Sequence, residues 1–129
     1  MKALHALIID DNAQNRDIIG RLLAKQGFQT TEAADAQSLD SLLETLVPVD
    51  IVFLDLELPG RNGFEILRRM KADARFEHVP IVACTVHLNE INRAHQQGFH
   101  SFLGKPLDAG RFPEQVARIL DGERVWESG

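Results

Sequence analysis

Apolar residues fall along this chain in two alternating rhythms. Ala3 to Ile9 is a short, nearly continuous apolar run, and after Asn12 the residues Ile18, Ile19, Leu22 and Leu23 fall on one helical face before Gly27. The pair predicts a strand followed by a helix. The alternation then recurs: Phe28 to Glu32 suits a strand, Leu39, Leu42, Leu43 and Leu46 stripe a helix, and Ile51 to Leu54 reads as a buried strand. A third helix follows from Gly63 with Phe64, Leu67 and Met70 inward. Ile81 to Cys84 is a fourth strand, Leu88 to Gln97 a mostly polar helix, Ser101 to Leu103 a short fifth strand, and Phe112 to Leu120 a last helix carrying Val116, Ile119 and Leu120. Continuous apolar strands between amphipathic helices predict one parallel sheet of five strands covered on both faces, with right-handed crossovers. The expected domain is 1–122, and 123–129 reads as a short, dispensable tail.

Polar residues gather where the strands end. In a sheet of this kind ligands bind outside the carboxyl ends of the strands, and those ends carry Asp10 and Asp11, Asp55, Thr85 and Lys105. If the first and third strands are neighbours, three carboxylates meet at one edge. Like charges a few ångströms apart repel by several kcal/mol at protein-like dielectric, so a hard divalent ion such as Mg²⁺ is the natural partner. Taken singly the features are weak: the acids could be helix caps, Thr85 a β-branched strand residue, and Lys105-Pro106 an ordinary loop.

Composition narrows the functions. At 129 residues the chain suits one domain, and 14 Lys plus Arg against 19 Asp plus Glu, a net charge of -5, argues against phosphate-backbone binding to nucleic acid. The single cysteine, Cys84, lies in an apolar strand, so no intrachain disulfide is possible, and a reducing cytoplasm is the expected setting. No apolar run approaches a membrane span of about 18 to 20 residues, and no signal-peptide core is present. The five histidines show no close i, i+4 pair of the kind that builds a zinc site. Trp126 could anchor a partner or pack back onto the domain.

Together these residues resemble the receiver domain of two-component response regulators, of the CheY-like, single-domain kind. The likeness rests on the acid pair in Ile8-Ile9-Asp10-Asp11-Asn12, on Leu54-Asp55-Leu56-Glu57-Leu58-Pro59-Gly60 with Gly63 beyond, on Thr85, and on Lys105-Pro106. It spans about residues 3 to 121. The resemblance implies a doubly wound, flavodoxin-like fold with strand order 2-1-3-4-5. It implies a phosphoryl group accepted on Asp55 from a histidine kinase or histidine phosphotransfer protein, with Mg²⁺ held by Asp10, Asp11, Asp55 and the backbone carbonyl of Glu57. Lys105 and Thr85 would each contact a phosphoryl oxygen, and the Lys105-Pro106 bond would be cis. Thr85 and Phe102 would form the switch, Thr85 moving toward the phosphoryl group and Phe102 turning in from outside. The readout surface would be helix four, strand five and helix five, signalling to a downstream target protein or passing phosphate on in a relay, as a monomer or a phosphorylation-dependent dimer. The chain would not be an enzyme beyond self-phosphorylation and autodephosphorylation.

Some features depart from the family pattern. Val86 follows Thr85 where a smaller residue is usual, Phe102 lacks a phenolic hydroxyl, and the stretch from Thr85 to Lys105 is a couple of residues short. Glu57 and His87 occupy the positions that commonly flank an attacking water. Two other classes stay open from sequence: a phosphohydrolase with an aspartyl-phosphate intermediate, and a non-phosphorylated interaction module on the same scaffold.

Overall fold

The computed structural model describes residues 3–127. Its strands are β1 (Leu4–Ile9), β2 (Phe28–Ala33), β3 (Ile51–Asp55), β4 (Ile81–Thr85), β5 (Ser101–Gly104) and β6 (Trp126–Glu127). They form one sheet in the order β2-β1-β3-β4-β5-β6, with every neighbouring pair parallel. The expected order 2-1-3-4-5 is present, and a sixth strand extends it. The helices are α1 (Ala13–Lys25), α2 (Ala36–Thr45), α3 (Gly63–Lys71), α4 (Ile91–Gln97) and α5 (Phe112–Leu120).

Strand residues alternate between two cores, as the period of two requires. Leu7, Ile9, Val52, Leu54, Ala83 and Phe102 face α2, α3 and α4, whereas Ala6, Ile8, Phe53, Val82, Cys84 and Leu103 face α1 and α5. Helix starts follow local chemistry. The side chains of Asn12, Asp35 and Asn62 accept from the amides of Asn15, Ser38 and Phe64, satisfying donors that the first turns of α1, α2 and α3 leave unpaired. Among the described residues no helix is long and apolar enough to cross a membrane.

Several local expectations change. Ile18 lies outside the apolar stripe at 49% exposure, because the core seam of α1 follows Ile19 and Leu23 instead. The predicted fourth helix splits into a 3₁₀ turn, Leu88–Glu90, with Leu88 exposed, and a seven-residue α4 whose only buried side chain is Ala94. The segment after Gly122, expected as a tail, packs against the domain. Val125 is buried, its carbonyl accepts from the Phe102 amide at 2.8 Å, and Trp126 packs back on the domain, its ring centroid 4.9 Å from that of His95.

Candidate phosphoacceptor site

Register places the polar strand ends side by side. Ile9 pairs with Leu54, so Asp10 and Asp55 extend adjacent strands, while Asp55 pairs with Cys84 and Thr85 with Gly104, which sets Thr85 and Lys105 next along the same rim. The rim lies at the switch point, where the chain leaves β1 for β2 on one side and reaches β3 on the other. One carboxylate oxygen from each of Asp10, Asp11 and Asp55 lies within 4.8 Å of the others. Asp10 and Asp55 are buried and Asp11 is exposed.

Lys105 is the counterion. Its Nζ lies 2.5 Å from Asp10 Oδ2 and 3.5 Å from Asp55 Oδ2, and its own amide donates to the Thr85 carbonyl at 2.8 Å. The Lys105-Pro106 bond is cis. Burial pulls the Lys105 ammonium down, yet its hydrogen bond to Asp10 and the charges of Asp55 and Asp10 more than offset that and raise it. Burial pushes the Asp55 carboxyl up to about 6 and nearby Asp10 adds to the rise, while Lys105 and the Glu57 amide, donating at 3.2 Å, oppose it. Three carboxylates against one ammonium leave two negative charges in excess. That is a site short of positive charge, all of whose acidic ligand atoms are oxygen.

The surrounding main chain is tightly placed. Asp10 Oδ1 accepts from the Asn12 amide at 2.9 Å, and Thr85 Oγ1 accepts from the His87 amide at 3.1 Å. Beyond Asp55 a short antiparallel hairpin, Glu57–Leu58 with Arg61–Asn62, returns the chain to Gly63. A Cβ on Gly63 would stand 2.6 Å from Leu56 Cα and 2.8 Å from the Asp55 carbonyl, so the loop that aims Asp55 depends on glycine there.

Asp10, Asp11, Asp55, Thr85 and Lys105 thus converge as the sequence predicts. The Glu57 side chain faces solvent but is not free, since its Oε1 meets His87 Nε2 at 2.8 Å. Phe102 differs from expectation in that its ring is wholly buried among the α4-side core residues rather than turned outward. Val86 is 62% exposed. One contributor went unnoticed in the sequence: Arg16 donates to the Asp10 carbonyl at 2.8 Å and to Glu32 at 3.0 Å, pinning the acid pair. Its signal was its place four residues after the Asn12 cap, one turn into α1 and over the acids.

Comparison with known proteins agrees with this geometry. The family model for the response regulator receiver domain matches residues 6–117. The chain is 30% identical over 128 residues to the chemotaxis protein CheY-3 of Vibrio cholerae, covering 93% of this chain and 94% of that one. It is 33% identical over 115 residues to sporulation initiation phosphotransferase F of Bacillus subtilis, covering 88% and 91%. In fold it superposes with a TM-score of 0.80, at 24% identity, on the receiver domain of a sensor histidine kinase from Pseudomonas aeruginosa; 95% of this chain and 100% of that one are covered. That domain was crystallised with a magnesium ion coordinated in its active-site cleft. The fold and rim define a phosphorylatable signalling domain. The chain belongs to the response regulator receiver domain family.

Proposed function

We propose that Asp55 is the phosphoacceptor, taking its phosphoryl group from the phosphohistidine of a kinase or phosphotransfer protein in the cytoplasm. One observation carries the reading: the buried Asp55 carboxylate stands 3.5 Å from the Lys105 ammonium, in a cluster whose acids outnumber their counterion. An Asp55 oxygen attacks phosphorus and forms an O–P bond as the N–P bond breaks; the electron pair returns to the imidazole nitrogen of the donor, which takes up a proton. Lys105 and the Thr85 hydroxyl each meet a phosphoryl oxygen and balance charge as it builds.

The all-oxygen donor set and its excess negative charge suit Mg²⁺, which Asp10, Asp11, Asp55 and the Glu57 carbonyl would hold. When bound, the ion supplies charge neutralisation at the phosphoryl oxygens. Thr85 and Phe102 act as the switch, and the face formed by α4, β5 and α5 passes the signal to a partner protein or onward in a relay. The receiver domain spans 1–122, followed by a short C-terminal tail, 123–129. The domain works as a monomer or as a phosphorylation-dependent dimer.

Intact-mass measurement after incubation with a phosphohistidine donor and Mg²⁺ tests the proposal. One phosphoryl adduct on the native chain and none on Asp55→Ala is the expected result. An adduct surviving in Asp55→Ala removes Asp55 from the role, and continuous turnover of an added phosphomonoester would replace the signalling reading with a hydrolase.

A further inference from the structure

β5 is the outer edge of the five-stranded receiver sheet, flanked by α4 and α5, and the chain's own C-terminal segment sits on it. Val125, Trp126 and Glu127 lie along that edge in parallel register, Phe102 opposite Trp126 and Leu103 opposite Glu127. Each of the three makes a different contact. Val125 is buried in the core on the α5 side, its carbonyl accepting from Phe102 and its amide donating to Ser101 Oγ at 2.9 Å. Trp126 points to the opposite face, packing against the α4-side core with its ring on His95. The Glu127 carboxylate accepts from Arg111 and Gln115 at 2.6 Å each and from Arg118 at 3.2 Å, all on or at the start of α5.

An edge strand presents unpaired backbone groups that another strand can satisfy. Here the edge also offers an apolar slot on one face, an aromatic slot on the other and an arginine pair at the end. Recognition by strand addition takes affinity from the main chain and specificity from such alternating side-chain sites. The segment binding them in cis is held on a tether of only four residues, Asp121 to Arg124, between α5 and Val125.

We propose that the outer edge of β5, between α4 and α5, is a strand-docking site for an extended partner segment bearing consecutive apolar, aromatic and acidic residues, which Val125, Trp126 and Glu127 occupy in the resting chain. The proposal rests on the receiver reading only in taking this face as the readout surface. A partner reaches the edge by displacing the resident segment, so partner affinity is set by competition with it. A short tether holds the competitor at roughly millimolar effective concentration, so a free peptide should bind the intact chain at least about tenfold more weakly than a chain whose segment is released.

Trp126 is the only tryptophan, and the chain has no tyrosine, so its fluorescence reports the segment directly. The probe is a synthetic peptide of residues 122–129 carrying Trp126→Phe, which is dark at tryptophan wavelengths. Titrated into the native chain, it should red-shift Trp126 emission and raise its quenching by iodide in a saturable way. The same peptide with Glu127→Lys should do neither. In a full-length Glu127→Lys variant, where a lysine faces Arg111 and Arg118, Trp126 should be iodide-accessible from the start, and a fluorescein-labelled peptide should bind at least about tenfold more tightly than to the native chain. Unchanged Trp126 emission in the native chain at millimolar peptide overturns the proposal, as does equal peptide affinity for the two folded chains. If Glu127→Lys proves unfolded by circular dichroism, the native-chain titration decides alone. No phosphoryl donor or magnesium enters these measurements, so their failure leaves the Asp55 chemistry standing, and failure of Asp55 to take up phosphate leaves the docking site standing.

Discussion

Replacing Asp55 with asparagine should stabilise the protein, although it destroys the proposed phosphoacceptor. The carboxyl is raised from 3.8 to about 6, chiefly by burial, so the folded chain holds the Asp55 proton more tightly than the unfolded chain does. Well below pH 3.8 both states are protonated and the group is neutral to stability. As pH rises the unfolded chain releases the proton first, and the penalty grows until the folded site ionises near pH 6; above that it is full and constant. The interval from 3.8 to about 6, at about 1.4 kcal/mol per pH unit, amounts to roughly 3 kcal/mol. Asp55→Asn removes the charge but keeps the shape, and Lys105 keeps its closer partner Asp10. The expected gain is therefore about 2–3 kcal/mol at pH 7.5, close to a 10 °C rise in melting temperature for a chain of this length. Urea and thermal unfolding in chelator, at pH 7.5 and at pH 4, measure it. Saturating magnesium should shrink the gain by stabilising only the native site. A gain of equal size at both pH values, or none at pH 7.5, would refute the burial argument.

The same geometry constrains other positions. Gly63→Ala should cost about 2–4 kcal/mol by urea denaturation, since its Cβ would meet main-chain atoms of Leu56 and Asp55 rather than a flexible side chain. Phosphoryl uptake should fall with it, whereas an equally stable variant would show that the Asp55 loop moves freely. Lys105→Met strands the buried Asp10 and should lose about 3–5 kcal/mol in chelator. Magnesium should recover part of that loss, and a deficit unaffected by magnesium would mean the cation does not enter this cluster. Cys84, buried with its thiol pushed up to about 12, should resist iodoacetamide at pH 8 while folded and react only in denaturant. Labelling of the native chain would mean that β4 opens.

Legibility in the sequence follows the strength of each residue's constraint. Asp10, Asp55, Thr85 and Lys105 were readable because they end apolar strands, and parallel pairing then leaves their positions almost no freedom. Ile18 was misread because a stripe drawn from spacing alone is wider than the seam that α1 buries. The Glu57–His87 contact joins two exposed side chains from different loops, which no periodicity encodes. β6 escaped because two residues cannot display a period of two; only Val125 and Trp126 hinted at burial. The inward ring of Phe102 is a rotamer choice, invisible to a pattern that reports only which face a residue takes.

That rotamer and the added strand meet on one element. β5 leads directly into the Lys105 that holds Asp10 and Asp55, and three residues earlier carries the Phe102 that pairs with Trp126, a separation of about 10 Å along the chain. β5 cannot slide to carry a signal across that span, because it is hydrogen-bonded to β4 on one side and β6 on the other. What remains free to change is side-chain state and edge occupancy. Phe102 and Trp126 stand opposite one another on β5 and β6 and pack on the same α4-side core. If docking of the segment and the inward ring are coupled, each shifts the other by the same free energy. Trp126 and Glu127 hold the segment to β5 and α5 through the His95 ring contact and the Arg111 and Gln115 hydrogen bonds.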